Sequence, residues 1–362
     1  MPTIAPPPID GNVKFQSRWL HRARASTGAR RIGASPDPHW SSVFQANLGD
    51  VPGYAYAVAH RGRVVDEGAF GYARTPLDAP QTPWTVHTRI HLASVSKPIT
   101  AVALLRILSH RHISIDQPFY PLVQSQCPVV GPGVATVTIK NLLEMLSGMA
   151  VDGTLSAPSI WSFLSAYVAK PLVGTPGVTS AYSNTNFTIL QAIISLLADP
   201  ASQGGDGVAP YVAYVTDHVL RPMGVDPAIF NPSPDPAATS TLSYALSDNG
   251  PGIYWGPFDC VGCGGWVASA RQLIKFMTGV REDRTLNEHE THKMFHEQLG
   301  WYEWTGLYGD YYSHNGWLLD GGTPDRGLNT GIVHLSDGYD ALLLVNAQWV
   351  DTTGLIVQAF ES

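Results

Sequence analysis

Residues 86–110 of this chain read VHTRIHLASVSKPITAVALLRILSH, and the stretch Ser94-Val95-Ser96-Lys97 within them decides how the rest is interpreted. The first eight residues have the pattern of a strand, and residues 95–110 carry apolar residues at helical spacing. A helix places positions i and i+3 on one face, so the Ser94 hydroxyl and the Lys97 amine should lie side by side at the positive end of the helix dipole. The spacing therefore predicts a serine nucleophile with a lysine beside it.

Composition limits the classes of protein and partner. With 362 residues, 44% of them apolar and 14% charged, the chain can form one large domain or two interleaved lobes. A formal net charge of -7 without a basic run argues against nucleic acid or an anionic membrane as partner, so we expect a small-molecule substrate. No stretch reaches the ~20 apolar residues of a membrane span, and residues 1–30 lack a signal-peptide core. These features predict a soluble, cytoplasmic protein and leave its oligomeric state open.

Three cysteines are too few for a disulfide framework. Cys260 and Cys263 have the spacing of a redox pair or of half a zinc site, but no second Cys or His pair lies nearby in the sequence. We therefore expect both to be thiols packed beside a Gly-rich turn, and we expect no metal or other cofactor.

The order of the predicted elements indicates an α+β fold. Residues 1–37 should form an irregular arm, and residues 53–59 and 63–72 alternate as a β-hairpin. Further strands are predicted at 307–313, 329–335 and 340–347, and helices at 39–48, 95–110, 138–147, 158–169, 185–198, 209–221, 268–279 and 353–360. This pattern predicts one antiparallel sheet built from both chain ends with flanking helices. We place this sheet lobe at 38–92 and 261–362 and an inserted, mostly helical lobe at 93–260, together forming a single unit.

Two more motifs follow Ser94-x-x-Lys97 along the chain. They are Tyr182-Ser183-Asn184, just before a predicted helix, and His314-Asn315-Gly316, at the end of a predicted strand. The order of the three motifs resembles the serine β-lactamase and penicillin-binding-protein superfamily, and most closely its class C-like branch, which includes family VIII carboxylesterases and D-aminopeptidases. The segments PGYAYAVAHRGRVVDEGAFGYA, TIKNLLEMLSGM and CGGWVASARQLIKFM extend the resemblance over roughly residues 50–349. The resemblance implies a β-lactamase-like fold.

The resemblance also implies a reaction through a covalent intermediate. Ser94 would attack an acyl carbonyl, and Lys97 and Tyr182 would together accept its proton. Lys97 can do so only if burial lowers its pKa, whereas Tyr182, held near two cations, would act as a phenolate or a relay. Asn184 would position Lys97 and the substrate.

The third motif would supply the rest of the site. After Gly316, the backbone N–H of Trp317 would complete an oxyanion hole with that of Ser94. The aromatic residues around this motif would suit a cleft wall for an apolar group; they are Trp301, Tyr302, Trp304, Tyr308, Tyr311, Tyr312 and Trp317.

Two departures from the family pattern guide the functional prediction. Class C β-lactamases and D,D-peptidases carry Lys in the third motif, where the chain has His314, whose unperturbed pKa near ~6.5 leaves it mostly neutral. The Glu-containing deacylation segment of class A enzymes is missing as well. We therefore expect a carboxylesterase. Amidases and D-aminopeptidase-type peptidases, β-lactamases and, from another class, a non-catalytic binding protein stay open as alternatives.

Overall fold

The computed structural model describes residues 38–150, 159–246 and 250–362, so the predicted arm at 1–37 lies outside the described residues. The strands are β1 (Gly53–His60), β2 (Arg63–Arg74), β3 (Thr82–Pro83), β4 (Arg89–His91), β5 (Val267–Ser269), β6 (Tyr302–Gly306), β7 (Gly309–Leu319), β8 (Gly327–His334) and β9 (Tyr339–Val345). The helices are α1 (Trp40–Leu48), α2 (Ser96–His110), α3 (Tyr120–Val123), α4 (Ile139–Leu143), α5 (Ile160–Val168), α6 (Asn184–Ala198), α7 (Ala209–Val215), α8 (Ala270–Arg281), α9 (Glu288–His296) and α10 (Thr352–Glu361).

The main sheet joins both ends of the chain, as the sequence predicts. Its seven antiparallel strands lie in the order β3-β2-β1-β9-β8-β7-β6, so the first hairpin pairs directly with the last strand. Arg61 and Gly62 connect β1 to β2 with φ values of 48° and 77°. Two positive φ values are typical of a tight hairpin turn whose twist matches that of the strands.

Each face of this sheet is covered by a different core. Along β1 the tyrosines and Val58 face one core, which includes Trp40 of α1 and Phe360 of α10, while the alanines of β1 face the other. Successive side chains of a strand point to opposite faces, so this alternation shows that β1 is buried on both faces. The larger core contains α8 and the helices of the middle of the chain.

A second, two-stranded sheet fixes the nucleophile segment in place. Strand β4 pairs with β5, and the Leu92 N–H then donates to the carbonyl of Trp266 at 2.8 Å. Helix α2 starts two residues after Ser94 and is buried on all sides over its first half. A helix buried on all sides offers little freedom to its N-terminal turn, which is where the candidate nucleophile lies.

Several predicted boundaries were wrong. The strand expected at 86–93 is only β4, because Ala93 has a φ of 49° and starts a short 3-10 turn. The helix expected at 138–147 ends early, at Leu143, whereas the helix expected at 209–221 continues after Val215 as a π-helical turn to Leu220. Strand β6 was not predicted. Strand β7 extends to Leu319 because its pairing with β8 continues to that residue, so His314 lies within a strand and not at its end.

The limits of the two predicted lobes stay a prediction. Among the described residues, no helix is both long enough and apolar enough to cross a membrane.

Candidate active site

Ser94 lies on a sharp turn between β4 and α2. The residue before it, Ala93, has a φ of 49°, in the left-handed region that non-glycine residues rarely adopt. Such backbone conformations persist only where the surrounding structure holds them. Ala93 and Val95 are buried on either side, whereas Ser94 is partly exposed. The turn thus presents one hydroxyl to the surface of an otherwise buried segment.

Lys97 is completely buried, and its amine makes three polar contacts. The Nζ atom lies 2.9 Å from Ser94 Oγ, 2.8 Å from Asn184 Oδ1 and 2.7 Å from the carbonyl oxygen of Cys263. Burial lowers the pKa of Lys97 well below its ordinary value of 10.5. The predicted approach of Ser94 and Lys97 is confirmed by this geometry.

A neutral amine can also satisfy these three contacts. A neutral amine has two N–H groups and one lone pair, and the two carbonyl oxygens of Asn184 and Cys263 can each accept one N–H. The lone pair is then left for the third neighbour, Ser94, whose hydroxyl can donate its proton to it. The arrangement can therefore serve as a nucleophile with its general base.

Tyr182 contacts the same hydroxyl from the other side. Its phenol oxygen lies 2.5 Å from Ser94 Oγ, and Lys97 Nζ lies 4.7 Å from the centre of its ring. Burial raises the pKa of Tyr182, and the nearby Tyr302 raises it further. A neutral phenol can donate a proton, as a relay requires.

Helix α6 brings the second motif to the first. It begins at Asn184, and the preceding Ser183 donates its backbone N–H to the sulfur of Met145 at 3.4 Å. Met145 lies two residues after the end of the short helix α4, and its carbonyl accepts the N–H of Ala181. Tyr182 is held between these two backbone contacts.

His314 lies in β7 beside a small cavity. Its side chain is 2% exposed and stacks on the ring of Tyr302, with 5.1 Å between ring centres. The cavity has a volume of about 30 Å³, and its lining includes both of these rings together with Glu144 and Gln298. Burial lowers the pKa of His314 well below its usual value, and a proton on Lys97 would act in the same direction. His314 is therefore a neutral imidazole at neutral pH.

Gly316 lies against the backbone of the nucleophile turn. A Cβ atom at this position would lie 2.4 Å from the carbonyl oxygen of Leu92 and 2.8 Å from the backbone nitrogen of Ser94. Only a residue without a side chain allows this approach of β7. The next residue, Trp317, is partly buried and pairs with Asn329 of β8. The third motif thus lies beside the first, as the resemblance implied.

The aromatic residues near the third motif do not form one wall. Trp301 and Tyr311 are buried in the two cores, and Trp304 and Tyr308 pack with Tyr311 on the core that contains α10. Tyr312 stacks on Phe295 of α9. Tyr302 lines the cavity beside His314. These positions depend on α10 and α9, which pack against the sheet. The sequence predicted a helix at 353–360 but not where it packs, and it did not predict α9.

The expectation for two of the cysteines was wrong. Cys260 and Cys263 form a disulfide, whereas Cys127 is a buried free thiol. The Cys263 carbonyl is also a contact of Lys97 that the sequence analysis missed. Because every residue has a main-chain carbonyl, the residue type at this position does not indicate the contact. The spacing of the two cysteines and the glycines after them were the available signal.

Comparisons with known proteins agree with this geometry. The profile of the Beta-lactamase family matches residues 40–357. Among curated proteins, Rv1367c of Mycobacterium tuberculosis is 24% identical over 275 residues, covering 67% of this chain and 65% of that protein. Protein flp of Staphylococcus aureus (strain MW2) is 23% identical over 210 residues, covering 56% of this chain and 40% of that protein. The match thus spans less than two thirds of either relative.

Solved structures show the same fold. The octameric penicillin-binding protein homologue from Pyrococcus abyssi superposes with a TM-score of 0.70 at 18% identity, covering 96% of this chain and 76% of that one. A D-stereospecific amidohydrolase from Streptomyces sp. gives 0.67 at 19% identity, with coverages of 88% and 96%. EstCE1, a hydrolase with promiscuous acyltransferase activity, gives 0.67 at 18% identity, with coverages of 90% and 98%. The match to the family profile over most of its length shows that the chain belongs to the Beta-lactamase family of serine hydrolases with the β-lactamase fold.

Proposed function

We propose that the chain is a carboxylesterase that acts through an acyl-Ser94 intermediate. The observation that carries this proposal is the burial of a neutral His314 in the third motif, where β-lactam-processing relatives place a charged lysine. A neutral imidazole offers no fixed positive charge for a substrate carboxylate. Esters without a carboxylate are then the better substrates.

The reaction would begin at Lys97. Its neutral amine takes the proton of the Ser94 hydroxyl as Ser94 Oγ forms a bond to the ester carbonyl carbon. The oxyanion that develops would accept hydrogen bonds from the backbone N–H groups of Ser94 and Trp317. The ester C–O bond then breaks, and the leaving alkoxide receives a proton from the Tyr182 hydroxyl, which regains one from the Lys97 ammonium. Water hydrolyses the acyl-enzyme by the same proton transfers in reverse order.

Two features support these roles over their alternatives. The contacts of Lys97 with Asn184 Oδ1 and the Cys263 carbonyl direct its lone pair to Ser94. The raised pKa of Tyr182 keeps the phenol protonated, which suits a proton donor to the leaving group. Asn184 would thereby position Lys97, and Gly316 would let β7 reach the substrate.

A substitution of His314 tests the substrate class. A charge-assisted hydrogen bond to a carboxylate is worth roughly 1.5 to 3 kcal/mol, about ten- to a hundredfold in specificity. We expect the unmutated protein to turn over p-nitrophenyl butyrate far faster than nitrocefin, and His314→Lys to raise nitrocefin turnover relative to that of the ester. His289→Lys adds the same charge at an exposed position of α9 and should leave the ratio unchanged. Efficient nitrocefin hydrolysis by the unmutated protein would contradict the esterase and favour a β-lactamase.

An amidase is the second candidate, since the Streptomyces protein with the same fold is a D-stereospecific amidohydrolase. A panel of D-aminoacyl anilides beside the p-nitrophenyl esters separates the two activities. Faster turnover of the anilides would reject the carboxylesterase. The cytoplasmic location and a small-molecule ester or amide as the partner remain predictions from the sequence.

A further inference from the structure

The turn at Cys260–Gly265 packs between the two helices that carry the candidate site. Its Gly262 carbonyl accepts the hydroxyl of Thr100 in α2 at 2.8 Å, and its Gly262 N–H donates to Gln191 Oε1 in α6 at 2.7 Å. The Thr188 hydroxyl of α6 lies 2.9 Å from Cys260 Sγ. A change in the conformation of this turn would therefore alter its contacts with both α2 and α6.

One backbone group of the turn reaches the site itself. The carbonyl oxygen of Cys263 lies 2.7 Å from Lys97 Nζ and holds one of the two N–H groups of the neutral amine. This carbonyl belongs to a residue whose side chain is tied to Cys260 by the disulfide. Closing so short a loop by a covalent bond removes much of the freedom of the residues within it.

The turn is rich in glycine, so a covalent constraint can limit its conformation. Gly262, Gly264 and Gly265 surround Cys263, and glycine has more backbone freedom than any other residue. A Cβ atom at Gly264 would meet no atom of another residue closer than 3.8 Å, so packing restricts the backbone of this residue little. The peptide group that carries the Cys263 carbonyl is held within the turn by the disulfide and by its Gly264 N–H, which donates to the Cys260 carbonyl at 3.2 Å. Without the disulfide, this hydrogen bond and the contact with Lys97 remain to hold it.

We propose that the disulfide between Cys260 and Cys263 is a redox-sensitive clamp that fixes the Cys263 carbonyl on Lys97 and so makes the oxidised protein the more active form. This inference rests on the proposed function, because it assigns Cys263 as a positioning residue for the general base. In a reducing compartment, a disulfide in a mesophilic protein is typically transient and serves catalysis or redox sensing.

The chemistry of both directions balances. In oxidation by hydrogen peroxide, the two thiols lose two protons and two electrons, one S–S bond forms, and the peroxide is reduced to two molecules of water. In reduction by a small dithiol, one thiolate of the reductant attacks Cys263 Sγ and Cys260 leaves as a thiolate. The second thiol of the reductant then resolves the mixed disulfide. Cys263 is the more accessible of the pair, at 8% exposure against 2% for Cys260.

The test compares the full chain after peroxide treatment and after reduction with dithiothreitol. Two rates are measured across pH for each form, namely the kcat/KM for p-nitrophenyl butyrate and the rate of Ser94 labelling by a fluorophosphonate. We expect both rates to be about tenfold lower in the reduced form, as for the loss of one hydrogen bond to an ionisable group. We also expect the acidic limb of its pH profile to move to lower pH, because a lost acceptor disfavours the protonated amine.

Variants of the cysteines provide the controls. The double variant Cys260→Ser/Cys263→Ser should match the reduced protein and should not respond to peroxide or dithiothreitol. Cys127→Ser removes the remaining thiol, buried away from the turn in the helical core, and should respond like the unmutated protein. Alkylation with peptide mapping verifies the redox state of each sample.

Hydrogen exchange of the backbone amides tests the clamp independently of the proposed function, because it does not require activity. We expect the backbone amides of residues 261–265 to exchange faster in the reduced form, whatever the activity. Equal exchange in both forms, equal rates and pH profiles, or alkylation of all three cysteines after peroxide treatment would each overturn the clamp. Failure of Ser94 to react in either form, with exchange that still differs, would reject the proposed function and leave the clamp standing.

Discussion

At the scale of single residues, the site depends on one exposed hydroxyl among buried neighbours. Ser94 is held by a strained Ala93 on one side and by a fully buried Lys97 on the other. Removing the hydroxyl takes away the group that contacts both Lys97 and Tyr182, without opening a cavity in either core.

We therefore expect Ser94→Ala to eliminate turnover of p-nitrophenyl esters, with a loss of several orders of magnitude, while the midpoint of thermal unfolding stays nearly unchanged. The measurement is kcat/KM together with thermal unfolding followed by circular dichroism. Ser109→Ala makes the same change at the exposed C-terminal end of α2 and should retain full activity. Activity of Ser94→Ala near that of the unmutated protein would refute the assignment of the nucleophile.

The buried Lys97 sets the pH dependence. Its pKa is lowered by burial, and the neutral amine is the form that can accept the Ser94 proton. The kcat/KM should therefore fall as the pH drops through the pKa of Lys97, which lies well below the ordinary pKa of lysine, because protonation occupies the lone pair. A pH profile of ester hydrolysis measures this. An acidic limb at the ordinary pKa of lysine, with activity only at strongly alkaline pH, would contradict it.

Lys97 and Tyr182 should behave as one unit of proton transfer, since both contact Ser94 Oγ. We expect Lys97→Ala and Tyr182→Phe each to slow acylation by several orders of magnitude, and the double variant to be little slower than either. Rates of fluorophosphonate labelling for the three variants give the comparison. Losses that multiply in the double variant would show that the two side chains act independently.

At the scale of elements, the site forms where the nucleophile turn, helix α6 and strand β7 come together. The nucleophile turn is pinned by Thr330 of β8, whose hydroxyl donates to the Leu92 carbonyl at 2.7 Å. Strand β7 runs beside β8 and brings Gly316 onto the same backbone. The position of β7 relative to the turn is therefore set by the sheet and not by the third motif alone.

We expect Gly316→Ala to lower kcat by at least about tenfold, since an added Cβ would lie 2.4 Å from the Leu92 carbonyl and must displace β7 or the turn. The effect is measured as kcat for the ester, with thermal unfolding to follow stability. Gly49→Ala is the matched control, because a Cβ there meets its nearest atom at 3.5 Å. Unchanged kcat in Gly316→Ala would show that β7 does not need this close approach.

At the scale of the whole molecule, a buried charged cluster joins β8, β9 and α8. His334 Nδ1 lies 2.6 Å from Asp340 Oδ1, to which Arg281 Nε donates at 2.7 Å. Burial lowers the pKa of His334. Although burial alone would raise the pKa of Asp340, His334 and Arg281 lower it overall. The folded protein thus binds fewer protons at both groups than the unfolded chain does.

Stability should therefore fall as the pH drops below the ordinary pKa of histidine, at up to about 1.4 kcal/mol per pH unit for each such group. His334 contributes in this range together with His91 and His314, whose pKa values burial also lowers, and Asp340 contributes at lower pH as it becomes protonated. Thermal unfolding at a series of pH values measures this loss. His334→Gln should make the dependence shallower between neutral pH and the ordinary pKa of aspartate, by the share of one histidine. A variant with the same pH dependence as the unmutated protein would contradict the assignment to His334.

The sequence by itself determined the features that depend on local pattern. The hairpin at β1 and β2 follows from alternation around Arg61 and Gly62, and α2 follows from apolar spacing after Ser94. The spacing of Ser94 and Lys97 was enough to place their side chains together, since three residues make nearly one turn of a helix. The order of the motifs and the resemblance it carried indicated the fold.

Only the tertiary structure decided the features that arise from contacts distant in sequence. The neutral states of Lys97 and His314 follow from burial by several elements, which no local pattern reports. The approach of Gly316 to Leu92 and the contact of the Cys263 carbonyl with Lys97 join residues more than 150 positions apart. Main-chain groups carry both contacts, and the side-chain sequence does not encode where a carbonyl points. Packing of the whole chain fixes them, and with them the direction in which Lys97 offers its lone pair.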